Sequence, residues 1–374
     1  MRIAVNTRFL LPGKLEGLGW YTHELMRRMV AQHPEDDFLF LFDRPYDPCF
    51  VYGSNVIPLV LFPPARHPFL WYAWFEWAVP KALKQYAADV FFSPDSFLSL
   101  RARIPTVMTV HDLIPLQHPE QVPWWSRDYY RYFFPGFMRR AEHLVAVSTY
   151  TRQQIVDLSG IPAEKISVVY NGCREGFHPL PEQEKRAVRA QYAGGSDYFF
   201  YTGAIHPRKN IPRLIRAFDA FREETGASFR LLLAGRMAWQ TGAVREAYEN
   251  ARHRSDIHFL GYVPEDQLQR LMAAAWALVY VSLGEGFGLP VLEAMHSETA
   301  VICAATTALP EVADEAALLV DPCLEVEICA AMVRIFQDDA LRQRLIARGR
   351  LQRAKFDWDV AAQQVYQLIT RQCL

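Results

Sequence analysis

Cysteine is scarce and unpatterned in this chain. The six residues (Cys49, Cys173, Cys303, Cys323, Cys329 and Cys373) form no CxxC pair and no zinc-type spacing, and six are too few to staple 374 residues. That usage fits a reducing, cytoplasmic setting rather than a disulfide-built exported protein. Long apolar runs are missing too: the longest stretches, such as 273–281, fall well short of the roughly 20 apolar residues that cross a bilayer. Met1 runs directly into Arg2-Ile3-Ala4-Val5-Asn6, which reads as a first strand, so no cleaved export signal is expected. Charge of one sign is absent as well. Lys+Arg 40 against Asp+Glu 41 leaves a net charge of -1, so no global field draws in nucleic acid or an anionic membrane. Any such attraction must come from a local patch. No low-complexity tract, short repeat, HExxH or GxSxG occurs.

What is present is the material of a large core. Hydrophobic residues make up 51% of the chain and charged residues 22%, which excludes long-range disorder. At roughly 100 to 200 residues per domain, the length predicts two domains. Short apolar or β-branched runs alternate with longer segments of helical period, the pattern of an α/β protein with parallel sheets covered by helices on both faces. In the first half the predicted strands are 2–6, 38–42, 55–60, 90–93, 106–111, 144–147 and 167–170. The first helix, predicted over 19–31, aligns Leu18, Tyr21, Leu25 and Met29 on one face. After Asn171-Gly172 come Pro179, Pro181, a charged run and Gly194-Gly195, the composition of an interdomain connection. The pattern then restarts, with strands at 198–203, 230–234, 257–260, 278–281, 300–302 and 317–320. The expected division is 1–180, 181–355 and a closing helical segment 356–374.

The most informative stretch is Ser282-Leu283-Gly284-Glu285-Gly286-Phe287-Gly288-Leu289-Pro290-Val291-Leu292-Glu293, where a strand, a glycine loop and a helix meet. Pro290 suits the first helical turn, so the free amides of Gly288 and Leu289 would lie at the positive helix end, ready for an anion. Glu285 and Glu293 would face the carboxyl edge of the sheet, where carboxylates can accept hydrogen bonds from sugar hydroxyls. The competing reading is a tight turn with an acidic first helical turn, but three glycines exceed what capping needs. A second stretch, Gly203-Ala204-Ile205-His206-Pro207-Arg208-Lys209-Asn210, repeats the strand–loop–helix order with Asn210 as the expected N-cap. Two cations at a helix N-terminus oppose the dipole, so Arg208 and Lys209 make sense around a multiply charged anion such as a diphosphate, and otherwise as a solvated basic turn.

Weaker signals lie in the first half. Glu16-Gly17-Leu18-Gly19-Trp20-Tyr21 separates the first strand from the first helix, but it lacks the third glycine of a dinucleotide fingerprint, and Lys14 is not in P-loop spacing. Close backbone approach to a ligand at Gly17 stays open. His111-Asp112 ends the fifth strand, where the imidazole can meet a ligand or serve as a satisfied structural histidine. Two aromatic-rich stretches, 67–80 with Trp71, Tyr72, Trp74, Phe75 and Trp77, and 123–140 with Trp124, Trp125, Tyr129, Tyr130, Phe133, Phe134 and four arginines, suit a membrane interface, a helix core or a sugar-stacking cleft. Asp357-Trp358-Asp359 has the DxD form of a metal-holding motif. At the start of the last helix it reads better as a cap with a core-anchoring Trp.

Together these pieces resemble the family 4 (group 1) retaining glycosyltransferases. The likeness rests on Glu285 and Glu293 in an E-x7-E arrangement, Gly203 followed by PRKN, His111-Asp112, Val147-Ser148 with Thr151-Arg152, Asn171-Gly172 and Phe356-Asp357-Trp358. The resemblance implies a GT-B fold, with two Rossmann-like domains facing a central cleft and a final helix crossing back to the first domain. It implies that Arg208 and Lys209 bind the donor diphosphate. It further assigns Glu285 and the segment Gly286, Phe287, Gly288 and Leu289 to the transferred sugar and phosphate, and Glu293 to the ribose. Gly17, His111 and Gly203 would face the same site, with the nucleotide base near Tyr262 and Val263. Where many relatives have Asp at the end of the first strand, this chain has Asn6, followed by Thr7-Arg8.

The implied function is transfer of a hexose, by the PRKN likeness mannose from GDP-mannose, to a polysaccharide or lipid-linked saccharide. No metal and no cofactor beyond the nucleotide-sugar co-substrate would be needed. Peripheral membrane contact through the first domain is a further implied partner. UDP-glucose, UDP-galactose or UDP-GlcNAc as donor, an isomerase of the UDP-GlcNAc 2-epimerase type, and a non-catalytic GT-B scaffold remain as alternatives.

Overall fold

A computed structural model describes residues 1–13, 15–237 and 242–373 of the chain; Lys14 and Leu374 lie outside the described residues. The chain forms two compact units, one of residues 1–172 with 357–374, the other of residues 173–356. The junctions therefore differ from the expected 180/181 and 355/356. Residues 173–181 leave the first unit early because Arg174 is tied into the second by Glu293 and Glu265, and Gly176 lies against Gln269.

In the first unit, seven parallel strands stand in the order β3-β2-β1-β4-β5-β6-β7. They are β1 Arg2–Asn6, β2 Asp37–Phe42, β3 Val56–Val60, β4 Val90–Ser93, β5 Thr106–Val110, β6 His143–Ala146 and β7 Ile166–Val168. Strands covered on both faces have no polar side to alternate with, which is why β4 (VFFS) and β5 (TVMTV) are buried at every position. Helix Gly17–Gln32 packs through Tyr21, Leu25 and Met29, three of the four residues aligned by its period.

The segment after the second junction belongs to this unit. Asp357 caps helix Trp358–Thr370, accepting from the amides of Asp359 (2.6 Å) and Val360 (3.2 Å). The DxD pattern is thus spent on a helix start. Trp358 is buried against Tyr21, and a Cβ on Gly172 would stand 2.6 Å from its backbone nitrogen, so glycine is required where the chain passes under this helix. Arg28 bonds Asp359 at 2.9 Å, Tyr366 donates to Asp36 at 2.6 Å, and its ring stacks on His33.

The two aromatic stretches divide between core and surface. Trp74, Phe75, Tyr129, Phe134 and Phe137 are buried in one cluster with Phe97, and Trp71 donates to the Ala65 carbonyl at 2.9 Å. Phe69, Trp77, Trp124 and Tyr132 are more than half exposed. Helical spacing accounts for the first group; the second group shares the same helices on the opposite side.

In the second unit six parallel strands stand in the order β10-β9-β8-β11-β12-β13. They are β8 Asp197–Thr202, β9 Phe229–Ala234, β10 Ile257–Gly261, β11 Ala277–Tyr280, β12 Ala300–Ala304 and β13 Ala317–Val320. Every predicted strand is present in both units, with ends displaced by at most two residues. Each strand order reverses direction once, between β1 and β4 in the first unit and between β8 and β11 in the second. Open α/β sheets bind ligands at the carboxyl ends of strands beside such a reversal.

Candidate active site

In the second unit the reversal point brings together the two stretches singled out from the sequence. β8 ends at Thr202, and a short 3-10 turn Pro207–Lys209 presents the cations; β11 ends at Tyr280, and the glycine loop leads into helix Leu289–His296. The amide of Leu283 donates to the Arg208 carbonyl at 2.8 Å, so loop and turn are tied backbone to backbone.

Glu285 sits between the two cations. Arg208 approaches one carboxylate oxygen at 3.0 Å and donates to the Gly284 carbonyl at 2.7 Å. Lys209 bonds the other oxygen and donates to the Tyr280 hydroxyl at 2.7 Å, and that hydroxyl donates to Glu285 at 2.9 Å. Lys209 and Glu285 are both buried. Burial alone would raise the Glu285 carboxyl, but Lys209 and Arg208 overcome it and hold its pKa at about 2. Burial and the Glu285 charge push the Tyr280 and Tyr201 phenols well above their ordinary value, so both stay neutral donors. The basic turn is therefore neither solvated nor bare. The anion between its cations is a carboxylate of the same chain, and the cluster keeps one net positive charge.

The glycine loop has the anticipated form. Gly288 has a φ of 107° and a Cβ there would meet Leu309 at 2.5 Å, so no other residue fits both demands. Pro290 stands in the first turn of the helix. No described group accepts a hydrogen bond from the amides of Gly288 or Leu289. Gly286 and Phe287 are buried, with Phe287 edge-on to Phe356. Gly203 follows β8 with a φ of 135°, its amide donating to the Ala234 carbonyl at 2.9 Å.

One expectation changes, at Asn210. Asn210 does not cap the following helix through its side chain. It adopts a left-handed φ of 62° and donates to the carbonyls of Val281 (3.0 Å) and Pro322 (2.6 Å), locking the turn to β11. Glu293 is buried one turn into its helix with one oxygen gripped by Arg174 at 2.9 and 2.7 Å. Burial opposes the Arg174 charge, yet the Glu293 carboxylate beside it raises the Arg174 pKa. Arg174, together with Tyr280, was missed from the sequence; the only signal was an arginine two residues after Asn171-Gly172. Tyr262 and Val263 follow edge strand β10, two strands away from β8, with Tyr262 largely exposed.

In the first unit, His111 follows β5 and pairs its Nε2 with the Pro94 carbonyl at 2.7 Å. A carbonyl only accepts, so Nε2 carries the hydrogen, and burial lowers the imidazole pKa. The neutral ring then offers Nδ1 as an acceptor, and His111 lines a cavity with Asp112, so the structural and ligand-facing readings coexist. Gly17 begins the first helix with open space around its Cα, whereas Gly19 is the glycine that packing demands, 2.7 Å from the Phe9 carbonyl measured to a built Cβ. Asn6 is buried and donates to Ser93 at 3.0 Å; the carboxylate at this reversal point is Asp95, bonded to Arg8 at 2.6 Å.

Residues 183–352 match the family described as glycosyl transferases group 1, and residues 15–175 match glycosyltransferase family 4. O-antigen chain mannosyltransferase B of Escherichia coli is 33% identical over 282 residues, covering 74% of this chain and 73% of that protein. The chain belongs to the group 1, family 4 glycosyltransferases. The serotype-specific mannosyltransferase WbdA of E. coli is 28% identical over 273 residues, 71% of this chain, which spans about a third (33%) of that longer protein. Among solved structures, sucrose-phosphate synthase from Thermosynechococcus elongatus superposes with a TM-score of 0.81 at 20% identity over 99% of this chain and 98% of the other. The fold of this glycosyltransferase is accordingly GT-B.

The ionisation of Glu285 makes the stability of the glycosyltransferase depend on pH. Its carboxyl is depressed from 4.5 to about 2. The cluster therefore contributes fully above about pH 4.5 and loses its contribution as pH falls toward 2, a loss of about 3 kcal/mol for one group. Urea unfolding of the wild type and Glu285→Gln between pH 2.5 and 7 should show a stability difference that shrinks as pH falls; a constant difference would contradict the ionised cluster.

Proposed function

We propose that this glycosyltransferase moves mannose from GDP-mannose to the sugar end of a polysaccharide or lipid-linked saccharide, with retention of configuration and without a metal ion. The observation that carries the reading is the Arg208–Lys209–Glu285 cluster beside the amides of Gly288 and Leu289, which have no acceptor among the described residues. Two fixed cations and a helix N-terminus answer the charge that grows on a departing nucleoside diphosphate, because they need no reorganisation as the bond breaks. Mannose is favoured because the two relatives named above are both mannosyltransferases.

The way the carboxylates are used argues against a covalent intermediate. Glu285 is committed to two cations and a tyrosine, and Glu293 to Arg174, so neither is a free nucleophile. The leaving phosphate would take the acceptor proton on the face from which it departs. Protein cations serve where a metal would otherwise neutralise the diphosphate. Glu293, with one oxygen held by Arg174, presents the other to the ribose hydroxyls. In the first unit, exposed Phe69, Trp77, Trp124 and Tyr132, the last with Arg131 over its ring, suit peripheral contact with a membrane carrying the acceptor; no helix among the described residues is long and apolar enough to cross one.

The purified protein, incubated with GDP-, UDP-, ADP- and dTDP-sugars and a mannan-type acceptor, should transfer only from GDP-mannose, with EDTA having no effect and proton NMR showing an α-linked product from the α-linked donor. An inverted product or EDTA-sensitive turnover would overturn the mechanism, and conversion of donor without acceptor would identify an isomerase. Arg174→Ala, which frees Glu293, should raise the dissociation constant of GDP about tenfold, or about 1.4 kcal/mol. Arg174→Lys should recover only part of that loss. Unchanged affinity in Arg174→Ala would remove the ribose role.

A further inference from the structure

The first unit holds its own site at its own strand reversal. A cavity of about 370 Å³ opens at the carboxyl edge of the sheet, lined by Arg8, Arg44 and Arg66, by Ser96, His111 and Asp112, and by aromatic rings that include Trp71 and Tyr130. Its polar groups are sorted by strand. Arg66, Arg44 and Arg8 follow β3, β2 and β1, while Ser96 and the His111-Asp112 pair follow β4 and β5, and these five strands are consecutive in the sheet. Donors therefore occupy one side of the reversal and acceptors the other. At about 4.8 Å between neighbouring strands, β2 and β5 lie about 14 Å apart.

The arginines hold more donors than the chain uses. Arg8 is buried, with Phe97 4.0 Å from its guanidinium carbon, and bonds Asp95 through Nε alone; no described group accepts from its two terminal nitrogens. Arg44 grips Asp43 through Nε (2.6 Å) and one terminal nitrogen (2.7 Å), which leaves the other terminal nitrogen without a described acceptor. Arg66 is exposed and has no carboxylate partner among the described residues. Guanidinium donors that face a cavity and meet no described acceptor are free for a ligand, and a phosphate or carboxylate supplies several acceptors at once. Across the sheet, one Asp112 oxygen accepts from the Ile114 amide at 3.1 Å, and no described group donates to the other.

We infer that this cavity binds an anionic saccharide, with a hydroxyl at His111-Asp112, sugar rings on the aromatic walls and a phosphate or carboxylate at Arg8, Arg44 and Arg66. The inference rests on the glycosyltransferase reading and narrows its acceptor to a charged one. Titration calorimetry with GDP held at saturation, so that the second unit's anion site is filled, compares three probes: an α-linked dimannoside, its phosphomonoester and its uronate. Both charged probes should bind at least tenfold more tightly than the neutral one, and the stronger of them tells a phosphorylated from a uronic acceptor. Arg66→Gln, at an exposed position that cannot unfold the protein, should erase the preference while GDP affinity stays unchanged. Equal binding of neutral and charged probes, no binding of any probe, or a preference that survives Arg66→Gln would overturn the anionic site. Failure of GDP itself to bind would instead strike the donor assignment and leave the charge preference to be read independently.

Discussion

A single carboxylate, Glu285, lets two adjacent cations stay together at the end of a parallel strand. Arg208 and Lys209 are neighbours in the chain and would repel each other in a buried setting, yet each engages one oxygen of Glu285. Breaking such a buried arrangement by removing one member typically costs about 3 to 5 kcal/mol, because the remaining charge is left without a partner. The rest of the second unit's reversal point serves this arrangement. Asn210 fixes the turn to β11, the Leu283 amide joins loop to turn, and Tyr280 supplies a neutral donor to the shared oxygen. Gly288 brings the helix N-terminus to the same place.

The same device recurs in the first unit with different surroundings. Arg8 follows β1 and Asp95 follows β4, so their bond bridges the reversal as the Lys209–Glu285 bond bridges β8 and β11. In both cases the pair spans two strands that are adjacent in space but far apart in sequence, which pins the two halves of the sheet edge together. The packing around them decides what each can bind. Arg8 packs on aromatic rings beside a cavity, whereas the second cluster adjoins glycine backbone whose amides have no described acceptor. Rings favour sugar faces and amides favour phosphate oxygens, so the proposed reading gives one topology two kinds of site.

Much of this was legible in the sequence for physical reasons. Apolar runs of strand length mark a buried parallel sheet, and Pro290 after three glycines marks a helix N-terminus built for an anion, so strands, loop and the Arg208-Lys209 turn all lie where expected. Asp357 as a cap was readable from local chemistry alone. Partner choice between distant side chains was not. Arg174 and Glu293 are separated by 119 residues, and nothing periodic signals that they meet. For the same reason the first junction lies at 172/173 rather than at the prolines that follow, since the pull of Arg174 into the second unit is a tertiary effect. Asn210 has the residue type of a cap and the position of one, but backbone carbonyls of β11 and Pro322 outcompete the helix for its amide. The aromatic stretches show the limit of composition: helical geometry splits one cluster of rings between core and surface.

The central claim is that the Arg208–Lys209–Glu285 cluster and the adjoining amides form a preorganised diphosphate site. Titration calorimetry of GDP and guanosine into the same protein, repeated with UDP and uridine, isolates the diphosphate from the base. The account predicts that one diphosphate nucleotide binds at least a hundredfold more tightly than its nucleoside and that Lys209→Met abolishes most of the difference. Equal affinity of nucleotide and nucleoside, or a difference untouched by Lys209→Met, would contradict it.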